Sequence, residues 1–319
     1  MECAKMIVSV TLNPTVELVY DLETLTINGV TRTHNVKKFP SGKGLNVSRV
    51  ATLMGSKNIA TGFLGHNLKQ TVEASMNDDG MTHAFFQIEG ETRNSVAILH
   101  DGQQTEILED GPTISKKEAD DFITHYDELI SNATVVALAG SLPQGLTPEY
   151  YIALMQRAQE NQAKVIIDAS GATLKEVLNS PINPYAIKPN LDEIQELSGK
   201  TIDTSDYQAI IQLLDDPIFE GIELIVISMG GDGAFVKFGS HYYKASVPEI
   251  DVENAVGSGD STVAGIAIAL DQNEDIETLI KRAMTLGTLN ALEERTGYVS
   301  KSNYSHYFEQ MKVEEIKQA

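Results

Sequence analysis

The sequence predicts an α/β fold: a parallel sheet with helices on both faces, plus a small β-sheet lid. Three observations lead there. Short apolar runs that end in small or polar residues, "MIVSVTLN", "VVALAGSL", "KVIIDAS", "YAIKPN" and "ELIVISMGG", alternate with longer amphipathic stretches such as "TPEYYIALMQRAQENQ". Residues 16–40 and 84–110 break that rhythm with alternating Val, Thr, Ile and Phe and with turn signals, the pattern of antiparallel hairpins. The 319 residues are 42% hydrophobic and 22% charged, enough core for one domain over 1–319.

Taken in order, the run at 6–13 is the first strand and the 16–40 hairpin follows it. A loop and helix come next at 41–55, then the 84–110 hairpin, and after it the strands that begin near 135, 164, 185 and 223. The hairpins are expected to meet as a sheet projecting from the body, serving as a lid, as a contact between copies, or as both. In an open parallel sheet ligands bind beyond the carboxyl ends of the strands, so Asn13, Ser141, Asp168, Asn190 and Ser228 mark where a site should lie. No internal repeat stands out, and the residues after Val313 read as a polar helical tail.

Composition narrows the function. A single cysteine, Cys3, excludes an intramolecular disulfide and a clustered-Cys zinc site, and fits a reducing cytoplasm. No apolar run approaches the length of a membrane span, and "MECAKMIVSV" lacks the features of a secretory signal. The formal net charge of -21 argues against nucleic-acid and anionic-membrane partners. The seven histidines show no ligand spacing.

Several stretches carry chemistry. In "AVGSGDSTVAGIAIAL", Gly257 and Gly259 flank Ser258 and lead through Asp260 into an apolar helix, so that backbone N–H groups converge on one point; this is an anion site or a helix cap. "SGKGLNVSRVATLMG" opens a helix with Ser41, Gly42, Lys43 and Asn46 and lacks the Walker A spacing. Arg32 and Arg93, one in each hairpin region, suit a phosphate clamp, though each alone reads as a solvated residue. "IKPNLDEIQEL" places Glu193 one turn past Asn190, which is either a capping box or an Asn and carboxylate organising hydrated Mg²⁺. Ser228, Gly230 and Gly233 form a strand end and glycine turn without the Rossmann fingerprint. Ala283, Gly287 and Ala291 make a bare helix stripe, suited to helix packing or to a flat ring.

Together "TLNPTVE", "SGKGLNV", "GETRN", "GSLPQGL", "KPNLDE" and "GSGDSTVAGI" resemble the ribokinase/PfkB carbohydrate kinase family over nearly the whole chain, within it most closely the tagatose-6-phosphate kinase and 1-phosphofructokinase branch. The resemblance implies a ribokinase-like fold and ATP-dependent phosphorylation of a ketohexose phosphate to a 1,6-bisphosphate. Tagatose 6-phosphate is the first choice and fructose 1-phosphate the second. It implies that Asp260 is the catalytic base and that the N–H groups of Gly257, Ser258, Gly259 and Asp260 form the anion hole. Asn190 and Glu193 would manage Mg²⁺ through water. Lys188, Ser228, Gly230, Gly233, Gly287 and Asn290 would line the ATP side. Asn13, Glu17, Ser41, Gly42, Lys43, Asn46 and Ser141 would hold the sugar, with Arg32 and Arg93 on its phosphate. Homodimerisation through the lid stays open.

The chain departs from the family pattern in carrying Glu17 where Asp is usual, Ser41 where Gly is usual and His66 where a second Gly is usual. The first two lie on the sugar side, which implies a shifted sugar preference with phosphoryl transfer intact. A non-catalytic sugar-phosphate sensor on the same fold is the reading from another class. The missing G-x-G-x-x-G weighs against a dinucleotide oxidoreductase.

Overall fold

Alternation along the strands decides the layers. In the runs 133–139 and 164–168, Val136, Leu138, Val165 and Ile167 enter one apolar core, whereas Val135, Ala137 and Ile166 enter a second on the opposite face. Strands buried on both sides in this way belong to a parallel sheet covered by two helix layers.

The computed structural model describes residues 6–204 and 206–316, so Cys3 lies outside them. The strands are β1 Met6–Thr11, β2 Thr15–Asp21, β3 Val36–Ser41, β4 Asn58–Gly65, β5 Phe86–Ile88, β6 Arg93–His100, β7 Gln103–Leu108, β8 Ala133–Ala139, β9 Lys164–Asp168, β10 Ala186–Ile187, β11 Leu224–Ser228, β12 Ala234–Phe238, β13 His241–Ser246 and β14 Lys312–Ile316. The helices are α1 Lys43–Leu53, α2 Lys69–Asp78, α3 Lys116–Ile130, α4 Glu149–Glu160, α5 Gly171–Leu178, α6 Leu191–Ser198, α7 Tyr207–Leu214, α8 Ser258–Gln272, α9 Ile276–Ala291 and α10 Tyr304–Phe308.

The large sheet runs β14-β13-β12-β11-β10-β9-β8-β1-β4-β5, parallel from β11 to β5 and antiparallel from β11 to β14. Residues of α3 to α7 fill one core and those of α1, α8 and α9 the other. The smaller sheet runs β3-β2-β6-β7, with β2 and β6 parallel and the two hairpins antiparallel.

Two boundaries differ from expectation. Phe86–Ile88 pairs with β4 as the edge of the large sheet, so the lid takes only β6 and β7 from the 84–110 stretch. The segment after Val313 is not helical as far as it is described: Lys312–Ile316 pairs antiparallel with β13, and that pairing supplies the backbone partners a short polar segment lacks alone. Among the described residues no helix is long and apolar enough to cross a membrane.

Candidate active site

The carboxyl ends of the parallel strands bring Asn13, Ser141, Asp168, Asn190 and Ser228 to one edge of the sheet. The start of α1 and the start of α8 meet over that edge.

Asp260 stands in the first turn of α8, only 7% exposed, and Asn46 Nδ2 of α1 donates to its Oδ2 at 2.8 Å. Burial, then the nearby Asp168 charge, pushes the Asp260 carboxyl up to about 7, against Asn46, Lys43 and Lys188, which pull it down. A carboxyl so placed exchanges its proton near neutral pH, as a general base requires. The residue before α8, Gly257, has φ of +85°, and a Cβ there would lie 2.8 Å from the Gly297 nitrogen. Only glycine fits that turn. Ser258 N–H is already bonded to Ala255 O, so the expected anion hole is left with the N–H groups of Gly257, Gly259 and Asp260.

A partly buried charge cluster flanks the loop. Lys43 Nζ donates to Asp168 Oδ1 at 3.2 Å, and Lys188 Nζ lies 3.5 Å from the same oxygen. Burial pulls the Lys43 ammonium down, and Asp168, Asp260 and Glu193 outweigh it, leaving a net upward shift. A Cβ on Gly259 would stand 3.2 Å from Lys188 Nζ, so this ammonium sits beside the anion loop. Asp168 Oδ2 is buried without a partner.

On the sugar side, Asn13 Nδ2 lies 3.4 Å from Ser141 Oγ, and Arg93 donates to Asn13 O at 3.3 Å and to Glu109 O at 3.0 Å. Asn13 Oδ1 and Arg93 Nε are buried and unpartnered. Burial lowers the Arg93 guanidinium, opposed by Asp110 and Glu109. Gly42 caps α1 between Ser41 and Lys43. Burial raises the Glu17 carboxyl, and the nearby Ser41 hydroxyl draws it back. The two residues that depart from the family pattern therefore lie close together on paired strands. A cavity of about 550 Å³ opens under the lid, lined among others by Glu17, Phe39, Ala97, Val256, Arg295 and Thr296.

On the nucleotide side, Asn190 and Glu193 form a full capping box at α6: Glu193 N–H donates to Asn190 Oδ1 at 2.8 Å and Asn190 N–H to Glu193 Oε2 at 2.9 Å. The box leaves Glu193 Oε1 without a hydrogen bond. Ser228 bridges to Asn190, and its N–H donates to Pro189 O. A Cβ on Gly230 would meet nothing within 4 Å, whereas one on Gly233 would lie 2.0 Å from Ala245 O. Gly230 thus faces open space, and Gly233 serves the approach of β12 to β13.

Three expected site residues have surroundings of a different kind. Arg32 is exposed in the connection 22–35, outside any strand. Gly287 is buried in the α8–α9 contact, where a Cβ would sit 2.6 Å from Thr262 Oγ1. Asn290 is fully buried and braces the anion loop, donating to Val256 O at 2.8 Å and to Ser258 Oγ at 3.3 Å while accepting from Gly297 N–H at 2.8 Å. His66 is exposed in a turn. Sequence reasoning missed Arg49, Asp79 and Arg295. Arg49 is 0% exposed and pairs with Asp79, which Arg295 holds from the other side. The available signal was a charged residue within the buried stripe of α1, one turn after Asn46.

With this geometry in view, residues 9–303 match the pfkB family carbohydrate kinase. The chain belongs to that family. It is an ATP-dependent sugar kinase with a ribokinase-like fold. A Staphylococcus aureus protein provisionally called a phosphofructokinase is 29% identical, with a TM-score of 0.84 over 98% of this chain and 100% of that one. Phosphofructokinase-2 from Escherichia coli, solved with substrates and products, is 22% identical with a TM-score of 0.86 over 96% of this chain and 99% of that one. A Thermotoga maritima protein provisionally called a 1-phosphofructokinase is 23% identical, with a TM-score of 0.84 over 98% and 100%.

Proposed function

We propose that this kinase phosphorylates a ketohexose phosphate to a 1,6-bisphosphate, with tagatose 6-phosphate as the preferred acceptor and fructose 1-phosphate as the alternative. One observation carries the reading: a buried carboxyl with an upward-shifted pKa, Asp260, stands beside free backbone N–H groups, while unpartnered polar atoms of Asn13 and Arg93 wait on the sugar side. Asp260 takes the proton of the sugar hydroxyl as its oxygen bonds to the γ-phosphorus of ATP. The bond from that phosphorus to the ADP oxygen breaks. The N–H groups of Gly257, Gly259 and Asp260, with Lys43 and Lys188, offset the charge of the moving phosphoryl group. Arg93 is assigned to the phosphate already on the sugar, and Arg32 to the same anion once the lid closes over it.

Mg²⁺ fits this site through the nucleotide. Glu193 Oε1 is free to take a metal-bound water beside Asn190, and no cluster of three acidic, His or Cys side chains among the described residues offers a separate cage. Bound there, the ion would neutralise phosphate charge.

In the same proposal the chain works as one unit in the cytoplasm, and two copies pair through their lids, which would cover Ile107 and Leu108, 57% and 63% exposed on β7. ADP release with Mg-ATP and, separately, tagatose 6-phosphate, fructose 1-phosphate, fructose 6-phosphate and the free sugars tests the reading. Turnover is expected on tagatose 6-phosphate first. Turnover confined to free sugars would overturn it, and thermal stabilisation by a sugar phosphate without ADP would identify a sensor.

A further inference from the structure

We propose that Arg49 is a positioning residue for phosphoryl transfer, fixing the Asn46 amide the one way round in which its nitrogen donates to Asp260. This rests on the reading of Asp260 as the base.

A side-chain amide has an accepting and a donating end, and its neighbours decide which way it faces. Arg49 has only donors. Its Nη1 lies 2.8 Å from Asn46 Oδ1, and that contact leaves Asn46 Nδ2 to face Asp260 Oδ2 at 2.8 Å. The guanidinium cannot turn away, because Nε donates to Asp79 Oδ2 at 2.9 Å and Nη2 to Pro40 O at 2.6 Å. Asp79 is in turn held by Arg295 through both of its oxygens. Burial, and then Arg295, lower the Arg49 guanidinium to about 10, so it remains charged at neutral pH.

Gly297 closes the third side. Its φ is +65°, and a Cβ on it would lie 2.6 to 2.7 Å from Oδ1, Cβ and Cγ of Asn46. The same residue donates its N–H to Asn290, the brace of the anion loop. One backbone position thus registers the base against the loop. Pro40 directly precedes Ser41 and Gly42, so Arg49 also ties the sugar loop to this arrangement.

The groups acting on Asp260 are Asn46 and Lys43 of α1, Asp168 at the end of β9 and Lys188 after β10. When the Asn46 donor is lost, the proton is held more tightly, and the acid limb of the rate profile moves to higher pH.

The test compares wild type with Arg49→Met, Arg49→Lys and Asp260→Asn, measuring kcat, both KM values, the pH dependence of kcat and the melting temperature. Lysine keeps a charge near Asp79 but cannot also reach Asn46 and Pro40. Arg49→Met is expected to lower kcat about 10- to 100-fold and Arg49→Lys about tenfold, as for a lost charge-assisted hydrogen bond. Both KM values should stay within about threefold, with the acid limb shifted upward. Should the methionine variant not fold, the lysine variant decides. A folded Arg49→Lys with wild-type kcat and an unmoved acid limb, whatever its melting temperature, would overturn the role of Arg49 alone. Full turnover by Asp260→Asn would overturn the reading of the base beneath it.

Discussion

The surroundings of Asp260 and the outer edge of the lid are built in opposite ways. Around Asp260, side chains and backbone from α1, α8, α9 and the 294–297 loop lock together: Asn46 to Asp260, Arg49 to Asn46, Asn290 to the anion loop, Gly297 against both asparagines. In the lid, β7 is exposed along its whole length, and Arg32 has no hydrogen bond or ion pair among the described residues. One ion pair, Lys37 to Glu294, crosses from lid to body beside the cavity. On the proposed reading, the difference teaches that the transfer chemistry rests on dense packing, where small errors are costly, and sugar choice on a more exposed sheet.

The comparison can be broken at five points. Asp260→Asn should lower kcat by about 10²- to 10⁴-fold while thermal stabilisation by ATP and sugar phosphate persists. Wild-type kcat should fall roughly tenfold per pH unit below about 7, because the base works deprotonated and its carboxyl titrates about there. A flat profile between pH 5.5 and 8, values about one unit or more either side of that pKa, would contradict this assignment.

Arg93→Met should raise KM for the sugar phosphate about 10- to 100-fold, and far less for ATP. Equal effects on both substrates would place Arg93 in the fold and not on the phosphate. Gly287→Ala should cost about 1–3 kcal/mol of stability by overpacking the α8–α9 contact. An unchanged melting temperature with a raised KM for ATP would return Gly287 to the nucleotide side. Arg32→Ala, the smallest effect, should change KM for the sugar phosphate by only about threefold, as for an exposed charge.

Legibility followed the same divide. The α/β alternation, both lid hairpins and the strand-end residues follow from local patterns, since apolar period and turn chemistry are written in adjacent residues. Phe86–Ile88 and Lys312–Ile316 are strands only by virtue of their neighbours, and three to five residues carry too little pattern to announce that. Asn46 and Asp260 stood out as motif residues, yet the hydrogen bond between them joins positions 214 apart in sequence. Arg49, Asp79 and Arg295 form a network that no local stretch contains. The packing of Gly287 against Thr262 and the hydrogen bonds of Asn290 to Val256 and Ser258 were not legible, because a small-residue stripe reads alike whether it meets another helix or a flat ring.

The separation of the two regions is tested most directly by restoring the usual family residues at the neighbouring pair, Glu17→Asp with Ser41→Gly, and measuring the kcat/KM ratio for tagatose 6-phosphate over fructose 1-phosphate together with the acid limb and the KM for ATP. The sugar ratio should move by about tenfold, while the acid limb stays near 7 and the ATP KM stays within about twofold. A sugar ratio left unchanged, or an acid limb and ATP KM that move as far as the sugar ratio, would contradict the account.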